Sequence, residues 1–309
     1  MTQKLFLFSI VPLLLLAACE QPSEAASPEM PVAAPAKAPY APSAPLDDKA
    51  RVTAANFEGD ANLTDDVEPS FVKHFSEGHD RRWYKADFAY SGPVQRAGWE
   101  ADHITFDGDD VELKITREYK DVLPFTGAEY QRRGEYHYGR YEVVMKAARG
   151  SGLVSSFFTH TGPSQNGDPH DEIDIEFLGH RTSELHINHF ADGDMAGSTY
   201  VQLPYDAADV FQLYAFDWLP DEIIWYVAEE EVFRVTSQEH PLPVTPSRLI
   251  MNLWTGSQNQ YAWHGRPTFK TGATAEYICV SYTVLGDQGA EQCSDTFDAD
   301  LPPLFGSAE

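Results

Sequence analysis

His170-Asp171-Glu172-Ile173-Asp174-Ile175-Glu176-Phe177-Leu178-Gly179 alternates acidic with apolar residues through its middle. A period of two is the signature of a β-strand, whose successive side chains point to opposite faces. Glu172, Asp174 and Glu176 therefore share one face, while Ile173, Ile175 and Phe177 share the other and enter a core. Carboxylates in a row repel one another, and burying that face raises the pKa of at least one of them. An acidic, alternating strand is often only a solvated sheet face, so the surrounding sequence has to decide whether this one has a task.

Outward from that segment, short runs rich in β-branched and aromatic residues recur at Val111 to Ile115, Tyr138 to Met145, Leu185 to Phe190, Tyr214 to Trp218, Ile223 to Val227 and Leu249 to Leu253. Turn residues separate them at intervals of about 8–12 residues, the spacing of a sandwich or barrel. No run has the length and 3.6-residue period of a long amphipathic helix. The expected fold is all-β, with two antiparallel sheets stacked face to face. No internal repeat is visible.

Glycoside hydrolysis requires two carboxyl groups in different protonation states beside one bond, and a retaining pair stands about 5–5.5 Å apart. Glu172 and Glu176 lie four positions apart in the sequence, or about 13 Å at the backbone of a strand. Their side chains close that gap if the sheet is concave and the chains lean together. Asp174 between them would then help to split their pKa values, so that the protonated carboxyl is the acid and the ionised one the nucleophile.

The ends of the chain carry a different message. Lys4 followed by the apolar run Leu5 to Leu16 reads as a secretory signal, since a spanning helix needs roughly 20 apolar residues. Leu16-Ala17-Ala18-Cys19 resembles a bacterial lipobox, which implies cleavage before Cys19 and lipidation of its thiol; Glu20 leans towards the outer membrane. The expected organisation is a signal peptide over 1–18, a Pro/Ala-rich tether over 19–66, a catalytic domain over 67–285 and an acidic tail over 286–309. The prolines from Pro22 to Pro45 bar a helix through the tether. The formal charge of −26 excludes nucleic acid as a partner and argues against a strongly anionic substrate. With Cys19 lipidated, Cys279 and Cys293 remain, and they can either close a loop in an oxidising compartment or stay as free thiols.

The strand and its flanks resemble glycoside hydrolase family 16, in its lichenase-like and xyloglucan-active branch. The matching blocks are Tyr138-Gly139-Arg140-Tyr141-Glu142-Val143, Gly152 to Thr159, the acidic strand, Phe216-Asp217-Trp218-Leu219-Pro220, Ile224-Trp225-Tyr226-Val227 and Met251-Asn252-Leu253-Trp254, in that order. The resemblance implies a concanavalin-like β-jelly roll with a concave cleft and a retaining, endo-acting mechanism. It makes Glu172 the nucleophile, Asp174 the assisting carboxylate and Glu176 the general acid/base. Glu129, Asn188 and Asn252 match polar sugar-binding positions, and Trp254 matches a stacking platform. No cofactor is implied, and the acidic ligand of a structural calcium found in some members is Ile278 here, so no metal is assigned.

Departures from that pattern bear on the substrate. His170 stands where lichenases have Trp and plant xyloglucan endotransglycosylases have His, Phe190 replaces a Tyr, His186 replaces a Gln, and Ala89-Tyr90-Ser91-Gly92 lacks a sugar-binding Asn. His170, His186 and Phe190 thus join the substrate-binding candidates. His160 and His170 read as cleft-wall or hydrogen-bonding residues, and His186 and His189 fall on opposite strand faces and cannot chelate one ion together. The resemblance implies a monomeric, exported, lipid-anchored endo-β-glucanase acting on β-1,3/1,4-glucan. A transglycosylase or hydrolase on xyloglucan or a bacterial exopolysaccharide is the alternative, and a lectin-like surface lipoprotein a third reading.

Overall fold

Ile173, Ile175 and Phe177 are fully buried, and the strand that carries them runs near the middle of one of two packed sheets. The structure is a computed structural model and describes residues 67–89, 94–161 and 169–298. The expected signal peptide, Cys19, the tether up to residue 66, residues 90–92 of the Ala89–Gly92 loop and the last part of the acidic tail lie outside the described residues.

The sheet holding the acidic strand has the order β11 (Asp194–Gln202), β10 (Glu184–Ala191), β9 (Glu172–Leu178), β8 (Val154–His160), β15 (Ser247–Trp254), β6 (Phe125–Tyr136) and β2 (Trp83–Lys85). These pairs are antiparallel, and β3 (Ala97–Trp99) adds a parallel pairing to β6. The second sheet runs β14 (Glu230–Thr236), β13 (Glu222–Val227), β12 (Gln212–Trp218), β7 (Gly139–Lys146), β16 (Ala273–Val284), β5 (Asp110–Ile115) and β4 (Ile104–Asp107), with β1 (Phe71–His74) on β16. The all-β, two-sheet expectation holds. The sole α-helix among the described residues is the single turn α1 (Tyr261–His264).

The layer between the sheets is aromatic and aliphatic. Tyr141 stacks on Phe216 with ring centroids 4.7 Å apart, and Phe177 meets Tyr214 edge-on at 4.9 Å. Each such side chain contributes roughly 1.5–3 kcal/mol by leaving water. Hydrogen bonds that cross the layer fix the height of the site strands. Trp225 Nε1 donates to the main-chain oxygen of Asp174 at 3.1 Å, and the Tyr277 hydroxyl donates to that of Ser156 at 3.0 Å. Just beyond β9, Gly179 approaches the 148–150 turn so closely that a Cβ there would lie 2.3 Å from the Gly150 carbonyl oxygen. Any other residue would push the end of the acidic strand out of place.

Each strand expected from periodicity overlaps an observed one, with Tyr138 falling one residue before β7. The chain beyond β16 does more than trail away: Cys293 is fully buried and disulfide-linked to Cys279, 14 positions earlier, with Phe297 packed on the same small apolar cluster. Residues up to Phe297, read as part of an acidic tail, thus pack onto the outer face of the second sheet. Ile278, the position compared with a calcium ligand, is half-buried against that cluster, and its side chain carries no donor atom for a cation.

Candidate active site

Register across the first sheet builds the site in rows, because directly paired residues of an antiparallel sheet share a face. Glu172 lies between Phe190 on β10 and His160 on β8, with Arg248 of β15 next in line. Asp174 lies between Asn188 and Phe158. Glu176 lies between His186 and Ser156, and that row continues to Asn252 and Glu129. The face is recessed: Asp174 is 2% exposed and Glu176 8%. That burial rules out a solvated sheet face.

Each end of the carboxylate row is held differently. His170 Nε2 donates to Glu172 Oε2 at 2.5 Å, and His160 Nε2 stands 3.7 Å from the same oxygen. Burial alone would raise the Glu172 pKa, but the His170 hydrogen bond, the His160 charge and a hydrogen bond from Asp174 outweigh it and hold the carboxyl below its ordinary value. Asp174 goes the other way. Burial, then the charges of Glu172 and Glu176, push it well above the carboxylate range, which favours its protonated form. Glu176 Oε2 accepts from His186 Nδ1 at 3.0 Å and from Asn188 Nδ2 at 2.9 Å. With Nδ1 donating, His186 Nε2 is left to accept from Ser198 Oγ at 2.9 Å, which fixes the ring.

The same hydrogen bond that steadies Glu172 raises the His170 pKa, whereas burial lowers that of His160. The donor atoms of His160, His170 and Glu172 lie within 4.8 Å of one another, a set that could in principle hold a metal ion. The 2.5 Å contact is hydrogen-bond geometry, and a cation there would occupy the most ionised carboxylate of the row. We therefore read His170 as the donor that keeps Glu172 charged, with the His160 ring close beside it.

The remaining expected residues fall along the same face. Glu129 is buried, accepts from Gln131 Nε2 at 2.5 Å and is pushed up to about 7 by burial. Among the described residues Asn188 Oδ1, Asn252 Oδ1, Ser156 Oγ and Asp174 Oδ2 find no hydrogen-bond partner, the disposition of atoms that meet a polar ligand. Trp254 is half-buried, outside the core, with Trp263 of α1 6.1 Å away and Trp263 in turn edge-on to His186 at 5.7 Å. Phe190 stacks on His170 at 4.8 Å, so it braces the imidazole beside Glu172. Sequence reasoning missed Ser198 and Tyr200 on β11, Ser156 and Phe158 on β8, and Arg248. They become visible only through cross-strand register, which no local pattern announces.

The chain that folds into this sandwich matches known proteins. Residues 93–277 match the profile of Glycosyl hydrolases family 16. The chain belongs to that family. A β-glucanase of Acetivibrio thermocellus is 42% identical over 217 residues, covering 70% of this chain and 63% of the relative, so this chain spans less than two thirds of that protein's length. A β-glucanase of Paenibacillus polymyxa is 39% identical over 201 residues, covering 65% of this chain and 82% of that one. Among solved structures, a β-1,3-1,4-glucanase (lichenase) from a mouse hindgut metagenome superposes with a TM-score of 0.66 at 37% identity, covering 70% of this chain and 100% of the other.

Proposed function

We propose that this family 16 protein is a retaining endo-β-glucanase that cuts internal bonds of mixed-linkage β-1,3/1,4-glucan. The observation that carries the proposal is the polarised carboxylate row: Glu172 held ionised by His170 beside the His160 ring, with Glu176 held by His186 and Asn188 two strand positions beyond a protonated Asp174. The relatives that share most of this domain are β-glucanases, which supports the substrate class.

In this mechanism a Glu172 oxygen attacks the anomeric carbon as Glu176 gives its proton to the departing glycosidic oxygen. A glycosyl ester forms on Glu172 and the aglycone leaves. Glu176, now ionised, takes a proton from water, and the water oxygen displaces Glu172 with retained configuration. His186 and Asn188 keep the Glu176 carboxyl oriented through the change in its charge. The Asp174 proton supports Glu172 while it is anionic, and this support weakens as the ester forms. Asn188, Asn252 and Glu129 would hold sugar hydroxyls, and Trp254 a pyranose face.

The chain's start supports the further proposal of export and of lipidation at Cys19, with the tether carrying the enzyme away from a bacterial outer membrane. The test of function is product analysis on mixed-linkage β-glucan, laminarin, xyloglucan and a succinoglycan-like exopolysaccharide, read by reducing ends and oligosaccharide mass. Short oligomers from mixed-linkage glucan alone are expected. Cleavage confined to another polymer would move the substrate and leave the mechanism, while silence on all of them would overturn the proposal.

A further inference from the structure

One corner of the site face carries charge of the wrong sign for a protein with a formal charge of −26. Arg248 on β15 pairs with His160, which pairs with Glu172, so the arginine lies on the site face two strands from the nucleophile candidate, or roughly 10 Å. On the far side, β6 departs from regular register opposite Arg248, and Arg133 emerges at that irregularity. Its guanidinium lies 5.2 Å from the ring centroid of Tyr84, whose partner across β2 and β6 is Gln131. Tyr84, Gln131, Arg132, Arg133, Gly134 and Arg248 together line a cavity of about 320 Å³, the lower end of the range for small-ligand sites.

The two exposed arginines are uncompensated. Among the described residues neither has a carboxylate within 4.0 Å; Arg133 donates to the main-chain oxygen of Arg81 at 3.2 Å and Arg248 to that of Thr161 at 3.4 Å. Arg132 differs, being buried, stacked over Phe71 and bonded to the Tyr136 hydroxyl. Glu129 is close enough to feel Arg248, yet burial leaves it only partly ionised near neutral pH. What sets Arg133 and Arg248 apart is their place: both guanidiniums line one cavity at the edge of a sugar-binding face.

We propose that this corner is a subsite for a carboxylate carried by the polysaccharide, on a sugar near the bond that is cut. The inference deepens the glucanase reading and rests on it. Two planar guanidinium forks suit a carboxylate, which accepts two parallel hydrogen bonds from one arginine. Tyr84 and Gln131 supply an apolar ring face and an amide for the sugar that bears it. The negative field of the whole protein does not forbid this, because beyond about 8 Å it is screened at physiological salt. It does restrict the substrate to sparse carboxylates rather than a densely charged chain.

The test compares three forms of one polymer: mixed-linkage β-glucan, the same glucan with a minority of its C6 hydroxymethyl groups oxidised to carboxylates, and the oxidised glucan after methyl esterification. The oxidised form is expected to show a kcat/KM about tenfold above the other two, from one charge-assisted contact. Its products should carry the carboxylate at a fixed distance from the new reducing end by mass spectrometry. The ratio should fall towards one in Arg248→Gln and Arg133→Gln and at high salt. Equal rates on all three polymers, with carboxylates scattered through the products, would overturn the subsite and leave the glucanase reading standing. If none is cleaved, that reading fails, and affinity electrophoresis of the Glu172→Gln protein in gels of each polymer decides the subsite alone: retardation by the oxidised form only supports it, and equal mobility overturns it.

Discussion

Both outer faces of this sandwich hold buried carboxylates, and the molecule treats them in opposite ways. On the second sheet Glu142 and Asp217 are completely buried, with Arg140 between them at 2.7 and 3.2 Å. The Tyr226 hydroxyl donates to Asp217, and Ser294 and Ser281 donate to Glu142, so the charges are paired and their lone pairs occupied. The disulfide from Cys279 to Cys293 anchors the segment bearing Ser294. On the first sheet Glu172, Asp174 and Glu176 have no arginine or lysine partner among the described residues. They have imidazoles, an amide and one another. The first cluster is compensated and contributes to holding the fold; the second is left in tension, and that tension divides its protons. A buried charge is costly unless paired, so the unpaired row is where chemistry is expected.

Removing the ionised end of the row gives the largest effect. Glu172→Gln should lower kcat on the order of 10⁴-fold or more, with Tm and glucan binding retained, as steady-state kinetics and calorimetry would show. Wild-type turnover in that variant would remove the distinction between the two faces.

The contrast in stability is the sharper test. Arg140→Ala leaves Glu142 and Asp217 buried without their cation and should cost about 3–5 kcal/mol, with Tm falling by about 10 °C in calorimetry. Asp174→Asn should act in reverse, cutting kcat by roughly 10²-fold or more while Tm at pH 7 rises. The sign follows from linkage. A carboxyl whose folded pKa is raised contributes stability that is complete below its unfolded pKa and lost as pH rises through the folded value. Asparagine removes that loss.

Much of this was legible in the alternation of residues 172–177, which separates carboxylates from core without further information. The β10 residues His186, Asn188 and Phe190 came from the family resemblance, and the choice between a disulfide and two thiols stayed open until the structure showed Cys279 bonded to Cys293. The other half of the site was not legible. Arg248 is unremarkable at the start of an apolar strand until β15 pairs with β8 and sets it in the Glu172 row. β11 is largely exposed and reads as loop, yet Ser198 on it fixes the His186 ring. β6 is interrupted by Gly127 and Gly134, which hides a long strand behind turn residues. Register is set by tertiary pairing, and sequence periodicity carries only the face, not the neighbour.

Smaller effects refine the comparison. Replacing Cys279 and Cys293 together by Ala should lower stability by about 3 kcal/mol in the chain-entropy view of the loop they close, with kcat per folded molecule unchanged. His170→Phe removes the hydrogen bond that keeps Glu172 ionised, so the acidic limb of the kcat/KM profile should move to higher pH. A limb that stays in place would mean that His170 does not control that carboxyl.

The division of roles along the carboxylate row is tested most directly by trapping the intermediate. An activated 2-deoxy-2-fluoro β-glucan oligosaccharide slows hydrolysis of the glycosyl ester enough for digestion and peptide mass spectrometry. The expected result is one added glycosyl mass on the peptide containing residues 170–179, localised by fragmentation to Glu172. A label on Glu176, or time-dependent turnover with no covalent adduct at all, would contradict the account.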